Sequence, residues 1–591
     1  MSLKKYEKLT LSILLFSTMC MCTACRQSLD CELVITNVNV IDVESGAIHY
    51  EMDVAIRADS ILSISKNKTF DFNLVETIIG NEQFLIPGLW DMHTHASLNF
   101  QDYLLLLVAN GVTGIREMQD NFGITAEFLK KEKSDSLLIP EIVTSGALVD
   151  GYPSNRPNSE VARTPEEGRQ IVRKQKSAGV DFIKVYSKLK RDVYLAIADE
   201  SKKQDIPFSG HIPRSVTLED AVAAKQRSIE HFSNILEYTS SKKGYLDSII
   251  YGTIKNDIRQ KYSMSRRAFL VETFDENRTK ELNKLITDGE TWICPTSVTN
   301  RMFGYINDSS FTNDPRVYYL PSAWGSNFKI SQHSYFKTLS DEDFQIERNW
   351  YHLGLSVMNK MPRNKFLAGT DIGMIYIFPG FSLHDELQIF VEDAGFTPLE
   401  ALQTATINPV IFLGIERKIG TIEKGKLANM VLLSSNPLED INNTRKINGV
   451  FLRGKYHDSH TLKLRTDKIA RWNKLPNITE VIEPIILKEG VDAGIEKYLE
   501  LRESSPEKYK FDNLQLNYLG YSLLRLEKPL DAVKIFKLNV KIFPKDGNLF
   551  NSLSDGYFAL EETEKAIQAM KKAQSFGYKL SMEKQKMVLN E

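Results

Sequence analysis

This chain has few cysteines and almost no excess of charge of either sign. Only five of the 591 residues are Cys, and three of them crowd within residues 20–25, which leaves Cys31 and Cys294. Two distant cysteines predict neither a disulfide framework nor a cysteine metal site. Lys and Arg number 74 against 76 Asp and Glu, for a formal net charge of -2. Without a basic run that contains aromatic residues, nothing in the sequence indicates nucleic-acid binding.

The first 24 residues have the pattern of an export signal. Three lysines precede an apolar run at residues 9–24, which is slightly short of the about 20 residues that a membrane span needs. The tripeptide that ends at Cys25 resembles a bacterial lipoprotein processing site, although Cys22 stands where such sites usually carry an aliphatic residue. We predict an exported cell-envelope protein that is anchored to a membrane by lipid on Cys25. Plain secretion with cleavage nearby is the alternative.

The remaining chain is long enough for several domains. A composition of 42% hydrophobic and 25% charged residues is typical of globular proteins. Strand-like runs between turn signals occupy residues 32–85 and return at 418–456, and we predict that both build one composite β-sandwich. Between them, residues 86–417 alternate β runs with helical stretches, the pattern of a parallel sheet or barrel. Residues 457–489 are interpreted as a linker.

The central region contains eight candidate strands, the number that closes a (β/α)8 barrel. These strands are residues 84–92, 112–117, 141–147, 182–186, 207–212, 228–232, 291–298 and 365–370. The fold class is therefore expected to be α/β. Residues 239–288 and 300–364 exceed plain βα connections, and we expect them to cover the barrel mouth and shape a pocket.

A repeat of 34 residues marks the C-terminal region, residues 490–591. Leu519 and Ala532 recur as Leu553 and Ala566. This period and the small residues resemble the tetratricopeptide helix-turn-helix pattern, and a degenerate third copy precedes the two. Such repeats would bind a protein partner. An ordinary helical hairpin is the alternative.

Two histidines one residue apart end the apolar stretch at residues 84–95. In a β-strand, residues i and i+2 share a face, so His93 and His95 point the same way. Two imidazoles on one face suit a divalent transition metal. A pair of surface or hydrogen-bonding histidines is the alternative for an isolated motif of this kind.

Four further residues with suitable chemistry fall at the ends of predicted strands. They are Lys184, His211, His231 and Asp371. A lysine inside an apolar β run needs a partner, and active sites of barrels are built at the C-terminal ends of strands. Each residue alone has an ordinary explanation, as a packed histidine, a snorkelling lysine or a capping aspartate. Together with the first pair, they favour a single site.

With these residues in this order, the chain resembles the amidohydrolase superfamily, in its imidazolonepropionase and metallo-dipeptidase-like branch. The resemblance covers roughly residues 33–456. The matching segments are residues 87–95, 111–114, 210–211, 230–232, 369–371, 383–387, 397–402 and 420–426. It implies a metal-bearing (β/α)8 barrel with a β-sandwich built from both flanks. Asn429 departs from the pattern, because the family usually has Asp there.

The resemblance also implies the ligand set. His93, His95 and Asp371 would hold a first metal, His211 and His231 a second, and Lys184 would bridge them as a CO2-derived carbamate. A hydroxide that bridges the metals would attack the carbonyl, and Asp371 would pass its proton to the leaving nitrogen. One metal instead of two is the alternative. Zinc is the default for such a site, although the ligands do not exclude manganese, iron or cobalt.

Three residues near the predicted strand ends are candidates for substrate contact. His384 follows the eighth strand, Tyr186 shares the face of Lys184, and Tyr152 follows the third strand. A helix N-terminal position is the alternative for His384, and a plain turn is the alternative for Tyr152. Cys294 is interpreted as a core residue.

The expected function is metal-dependent hydrolysis of C–N bonds in small amides or peptides. Dipeptides and N-acyl amino acids are the leading substrates, and a cyclic amide of the imidazolone type is the alternative. An interaction scaffold whose barrel is inactive is the alternative from another class. The intact set of six ligands argues against the scaffold. The sequence leaves the oligomeric state open.

Overall fold

The computed structural model describes residues 29–69, 75–120, 125, 138–154, 156, 158–251, 264–321, 333, 335–578 and 580–589. The predicted export signal and Cys25 lie outside these residues. The chain divides into two compact units, Met1–Asp467 and Lys468–Glu591. Among the described residues, none of the helices combines the length and the apolar character that a bilayer crossing requires.

The described strands all belong to the first unit. They are β1 Leu33–Ile41, β2 Ile48–Arg57, β3 Ser60–Lys66, β4 Glu76–Ile79, β5 Phe84–Pro87, β6 Leu89–Thr94, β7 Val112–Glu117, β8 Glu141–Thr144, β9 Val149–Asp150, β10 Glu160–Val161, β11 Ile183–Val185, β12 Phe208–Gly210, β13 Ser228–Glu230, β14 Trp292–Cys294, β15 Met430–Leu433, β16 Ile447–Leu452 and β17 Lys455–Asp458.

One sheet of eight strands combines both ends of the first unit. Its order is β17-β16-β15-β5-β1-β2-β3, and β4 pairs with β1. Branched residues such as Ile35, Val54 and Leu432 pack in its buried core, as expected for strands rich in Val and Ile. Both flanking regions of the sequence therefore contribute to this sheet, while the division into domains stays a prediction.

The central strands form two parallel sheets. One has the order β6-β7-β8, and the other has the order β10-β9-β11-β12-β13-β14. Backbone hydrogen bonds connect them: the N–H of Asp181, just before β11, donates to the carbonyl of Thr144 in β8 at 2.9 Å. The prediction of a mixed α/β fold is confirmed.

The predicted eighth strand is the main departure. Residues 363–365 form a short 3-10 turn, and the chain after it makes isolated bridges instead of a strand. Leu367 N–H donates to the Ile293 carbonyl of β14, and the N–H of Met92 in β6 donates to the Ala368 carbonyl, each at 2.9 Å. The N–H of Asp371 also donates to the His93 carbonyl at 2.7 Å, so backbone hydrogen bonds hold the segment from both sides.

Other predicted strands are shortened or divided, and the third, fifth and sixth end at Thr144, Gly210 and Glu230. The first breaks at Gly88, so that β5 joins the flanking sheet and β6 joins the parallel one. A Cβ at Gly88 would overlap the Thr113 side chain. The seventh ends at Cys294, because the chain turns into a helix at Ser297.

The helices of the first unit connect and follow the central strands. They are α1 Phe100–Ala109, α2 Pro165–Ala178, α3 Arg191–Lys203, α4 Leu218–Ala223, α5 Ile235–Tyr238, α6 Lys243–Ile250, α7 Met264–Glu272, α8 Glu276–Asp288, α9 Ser297–Tyr305, α10 Ser309–Thr312, α11 Asp341–Met358, α12 Phe381–Glu392, α13 Pro398–Thr404 and α14 Ile407–Leu413, with α15 Ser459–Lys474 at the boundary of the two units. Capping determines several starts: the Thr164 side chain accepts the Glu167 N–H before α2, and Ser340 and Asp343 form a capping box before α11.

The second unit consists of helical hairpins. Its helices are α16 Ile478–Glu489, α17 Val491–Ser504, α18 Asn513–Arg525, α19 Pro529–Ile542, α20 Gly547–Ala559, α21 Thr563–Ser575 and α22 Met582–Leu589. The starts of α18 and α19 recur 34 positions later in α20 and α21. Gly520 lies against the Phe536 ring, where a Cβ would overlap it. The tetratricopeptide character stays a prediction.

Candidate active site at the strand ends

The six predicted ligands lie in or directly after strands of the two parallel sheets, or directly after residues 366–370, which we call the bridging segment. His93 lies in β6 and His95 just beyond it, Lys184 lies in β11, His211 follows β12, His231 follows β13, and Asp371 follows the bridging segment. Parallel strands carry their carboxyl ends to one edge, so that these side chains meet although they are distant in sequence.

Asp371 is the centre of the arrangement. Its Oδ1 lies 3.3 Å from His95 Nε2 and 3.4 Å from His93 Nε2. Its Oδ2 lies 3.9 Å from His231 Nδ1. His93, His231 and Asp371 offer ligand atoms within 4.8 Å of one another. Three imidazoles therefore surround one buried carboxylate.

The histidine rings also contact one another. The His93 and His231 ring centroids lie 4.5 Å apart, and those of His231 and His211 lie 4.8 Å apart. Hydroxyl groups fix two of the rings: Ser187 Oγ lies 2.8 Å from His211 Nδ1, and Thr296 Oγ1 lies 2.8 Å from His231 Nδ1. Neither hydroxyl was predicted from the sequence.

A buried carboxylate orients His93. Glu230 Oε2 lies 2.8 Å from His93 Nδ1, and both Glu230 oxygens accept from Arg116 Nη2 at 3.0 Å. When His93 Nδ1 donates to Glu230, the lone pair of the ring lies on Nε2. Nε2 is buried and has no hydrogen-bond partner among the described residues. A carboxylate behind an imidazole in this way is typical of metal-binding histidines.

Burial decides the protonation of the nitrogen donors. It lowers the pKa of Lys184 to about 8, against the opposing effect of Glu230 and Asp371. It lowers the pKa of His231 to about 4 and that of His93 well below its ordinary value. The imidazoles of His93 and His231 are therefore neutral at physiological pH, as a metal ligand must be, and Lys184 can reach its neutral amine form.

The carboxylates stay ionised in spite of burial. Burial alone would raise the pKa of Asp371, but His231, His93 and His95 outweigh it and hold that pKa well below its usual range. Arg116 and His93 do the same for the pKa of Glu230. The site therefore combines neutral nitrogen donors with negatively charged oxygen donors.

Unusual backbone conformations accompany the site. His231, Thr296 and Asp371 have φ values of 56, 47 and 62°, in the left-handed region that non-glycine residues avoid. Such conformations are destabilising by about 1–3 kcal/mol each and concentrate at functional sites. Here they aim the side chains of these three residues at one another.

The donor set fits a divalent transition metal. Imidazole nitrogens and a carboxylate oxygen are the ligands that zinc and its neighbours prefer, and the unpartnered His93 Nε2 faces the Asp371 carboxylate. A second triad, His93, Glu230 and Cys294, also lies within 4.8 Å. Burial raises the pKa of the Cys294 thiol well above its ordinary value, which keeps that sulfur protonated and a poor ligand.

The three residues predicted to contact substrate occupy different surroundings. The ring centroid of Tyr186 lies 4.2 Å from that of His211, and its hydroxyl accepts from Arg156 Nε at 2.8 Å. Tyr152 is 68% exposed, and its ring packs against Arg163. His384 is buried elsewhere, in the polar contacts of α12. Tyr186 alone of the three contacts the histidine cluster in the described part of the chain.

Comparisons with known proteins identify similar hydrolases. Residues 345–456 match the family model for the Amidohydrolase family. Ochratoxinase from Aspergillus niger is 22% identical over 419 residues, which cover 60% of this chain and 71% of that protein. Bottromycin amidohydrolase has a TM-score of 0.56 at 19% identity, over 74% of this chain and 90% of its own. A Xaa-Pro dipeptidase with methionine in its active site has a TM-score of 0.50 at 18% identity, over 72% of this chain and 99% of its own.

These similarities confirm the resemblance to amidohydrolases at a coarse level. The branch within that superfamily stays a prediction, because likeness at this identity shows the fold alone. Residues 345–456 of the chain match the Amidohydrolase family model, and the chain is similar in fold to the solved structures named above.

Proposed function

We propose that this chain is a metal-dependent hydrolase of C–N bonds in small amides or peptides. The observation that carries the proposal is the convergence of His93, His95 and His231 on the buried Asp371, with His93 Nε2 left without a hydrogen-bond partner among the described residues. The match of residues 345–456 to the Amidohydrolase family model supports amide hydrolysis. Dipeptides and N-acyl amino acids are the substrates that we propose.

We infer that the central strands belong to a closed (β/α)8 barrel. The hydrogen bonds of Leu367 to Ile293 and of Met92 to Ala368 support closure through the bridging segment, and that of Asp181 to Thr144 supports continuity on the other side. In this arrangement the six ligands share one rim of the barrel. The flanking sheet would be its β-sandwich, and the second unit a tetratricopeptide-like module that binds a protein partner.

The residues of the site divide into two groups of metal ligands. His93, His95 and Asp371 would hold one divalent ion, and His211 and His231 a second, with Lys184 between them as a CO2-derived carbamate. Zinc is the ion that the donor set favours. When bound, such ions polarise a carbonyl oxygen and make water acidic enough to supply a nucleophile at neutral pH.

The remaining chemistry belongs to the protein's own groups. Asp371, ionised and central, accepts the proton of the attacking water and delivers it to the nitrogen that leaves. Glu230 holds the His93 ring through Nδ1, and Arg116 holds Glu230 through both carboxylate oxygens. This buried chain of hydrogen bonds keeps Nε2 of His93 directed at Asp371 throughout the reaction.

The Lys184→Ala variant tests the bridging role. We expect its bound metal to fall from about two equivalents to one or fewer, with loss of amidase activity. Short-chain carboxylic acids should restore part of that activity by taking the place of the carbamate. Lys174→Ala, which removes an exposed lysine of α2, is the control and should keep both properties. Full metal content and activity in Lys184→Ala would refute the proposal for this residue.

We also propose export to the cell envelope with a lipid anchor at Cys25. The observation is the charged and apolar N-terminal sequence that ends at Thr23-Ala24-Cys25. The Cys25→Ser variant should leave the membrane fraction of cells for the soluble one. Unchanged membrane association would contradict the anchor without bearing on catalysis.

A further inference from the structure

A cavity of about 250 Å³ opens between α9 and the chain that follows Asp371. Arg301 and Tyr305 line it from the helix, and Tyr376 and Phe378 line it from the segment after Asp371. Its wall therefore combines aromatic rings with a guanidinium group. The hydrolytic reaction assigned above makes no use of this group.

Arg301 is the unusual member of this lining. Its side chain is half-buried, and its buried Nε has no hydrogen-bond partner within the described ranges. Arg316 lines the same cavity and is fully engaged: it donates to both carboxylate oxygens of Asp314, at 3.0 Å from Nε, and to Asp385 Oδ2 at 2.8 Å. A buried donor without an acceptor is destabilising unless a ligand supplies the acceptor.

The acidic residues of the cavity are already used by other groups. Asp385 accepts from Arg316 and also from Arg445 Nη2, at 2.9 Å. Asp308 accepts the backbone N–H and the hydroxyl of Ser310, at 2.8 and 2.7 Å. Arg301 thus keeps a buried Nε donor without an acceptor among the described residues, and the planar fork of arginine matches a carboxylate.

Helix α9 contributes residues both to the cavity lining and to the surroundings of the candidate active site. This helix begins directly after Thr296, whose hydroxyl holds the His231 ring. Thr299 Oγ1 donates to the Thr370 carbonyl at 2.9 Å, next to Asp371. At a rise of 1.5 Å per residue, Arg301 lies about 7.5 Å along the helix axis from Thr296. That is about the length of two extended amino-acid residues.

We propose that Arg301 binds the free carboxylate of the substrate, so that the enzyme acts on amides of the N-acyl amino acid or dipeptide type. Tyr305, Tyr376 and Phe378 would contact an apolar or aromatic side chain of the same substrate. This inference rests on the proposed hydrolase function and adds the feature by which that site selects its substrate.

Binding of an inert pair of probes tests the inference without catalysis. Calorimetry on the metal-loaded full chain would compare 3-phenylpropionate with 3-phenylpropionamide. We expect the carboxylate to bind about 10- to 100-fold more tightly than the amide, as for a hydrogen bond to a charged group. Arg301→Gln should abolish this preference, and Arg301→Lys should retain part of it.

Arg348→Gln is the matched control. Arg348 also packs beside α9, but its Nε donates to the Gly304 carbonyl and its Nη2 to Asn307 Oδ1, each at 2.8 Å. This variant should keep the preference for the carboxylate. Equal binding of both probes to the wild type would overturn the inference, and so would an unchanged preference in a folded Arg301→Gln protein.

Hydrolysis of a second matched pair of compounds distinguishes the role of Arg301 from the hydrolase function itself. N-acetylphenylalanine and its N-methylamide carry the same acyl C–N bond, and only the first has a carboxylate. We expect Arg301→Gln to raise KM for the acid about 10-fold or more, with little change in kcat. Equal turnover of both substrates by wild type and variant would overturn the inference and leave the hydrolase intact. Selective binding of 3-phenylpropionate through Arg301 without any amide hydrolysis would support carboxylate binding by Arg301 and refute the hydrolase.

Discussion

Two buried polar groups of the first unit differ in how their hydrogen bonds are satisfied. The strand-end cluster comprises the histidines around Asp371. The α12 triplet comprises His384, Asp385 and Glu386, three consecutive buried residues. Both contain histidine and carboxylate side chains in an apolar interior, where unpaired polar groups are destabilising. Residue type alone therefore does not distinguish a functional site from a structural one.

The α12 triplet has partners on every side. His384 Nδ1 lies 2.9 Å from Thr444 Oγ1, and its Nε2 lies 3.0 Å from the Asn110 carbonyl. Asp385 binds two arginines. Glu386 accepts the N–H groups of Ser297 and Val298 at 2.9 and 2.7 Å, at the start of α9. These contacts tie helices together.

The strand-end cluster shows the opposite pattern. His93 Nε2 is buried without a hydrogen-bond partner among the described residues, and three imidazoles crowd one carboxylate. The contrast indicates that polar side chains mark a site built for a ligand when they converge on one point and keep unused hydrogen-bonding capacity. A complete set of partners marks a structural contact.

Asp371→Asn should show the largest difference between the strand-end cluster and the α12 triplet, because it should reduce activity far more than stability. Loss of the central base should reduce kcat/KM for an amide substrate by about 10³-fold, while the free energy of unfolding changes little. Steady-state kinetics and chemical denaturation would measure both. Asp341→Asn, at an exposed position of α11, is the control. Retention of more than about a tenth of the wild-type activity would remove Asp371 from the mechanism.

His384→Leu should have the reverse effect. The substitution leaves the Asn110 carbonyl and the Thr444 hydroxyl without their partner, so we expect the free energy of unfolding to fall by about 2–3 kcal/mol. Activity per folded molecule should stay at the wild-type level. His460→Leu on the surface should change stability by less than about 0.5 kcal/mol. A His384→Leu enzyme that is stable but inactive would instead support a role of His384 in substrate binding.

Ser187→Ala examines how strongly a single hydroxyl supports the cluster. Without the contact to His211 Nδ1, the ring loses its fixed orientation, and metal affinity at this histidine should fall about 10-fold. Metal titration monitored by calorimetry would measure the change. Ser201→Ala removes a buried hydroxyl of α3 that has no partner in the described chain and should leave affinity unaltered. Identical affinities for the two variants would assign Ser187 a packing role.

Glu386→Gln tests the protonation state of Glu386 in the α12 triplet through the pH dependence of the unfolding free energy. Burial raises the pKa of Glu386 to about 8, despite the two N–H donors. The folded state then holds a proton that the unfolded state releases above about pH 4.5, so the contribution of Glu386 to stability falls as pH rises toward 8. Between pH 6 and pH 7 the wild type should lose about 1.4 kcal/mol of unfolding free energy relative to Glu386→Gln. A difference that stays constant across this range would show that the carboxyl is ionised throughout.

Much of the site could be predicted because its signals are local. A two-residue period places His93 and His95 on one face, and apolar runs that end in His231 or Asp371 mark strand ends. The orienting groups gave no such signal. Glu230 lies 137 positions from His93 and reaches it only through the pairing of distant strands. The one hint was a charged residue, Arg116, within the apolar run of β7.

The failures of fold prediction also have long-range causes. The apolar run at 84–92 continues through Gly88, but packing against Thr113 divides it between two sheets. The run at 291–298 looks like one strand, and the Glu386 carboxylate turns its end into a helix. The partners of His384 lie 60 and 274 positions away. No local pattern reveals such contacts.

Metal analysis of the purified chain tests the central claim most directly. Elemental analysis should find one to two equivalents of a divalent transition metal, and chelation should abolish amide hydrolysis, with recovery on addition of zinc. His95→Asn should lower the metal content while the protein stays folded. A metal-free preparation that retains full hydrolytic activity would contradict the account.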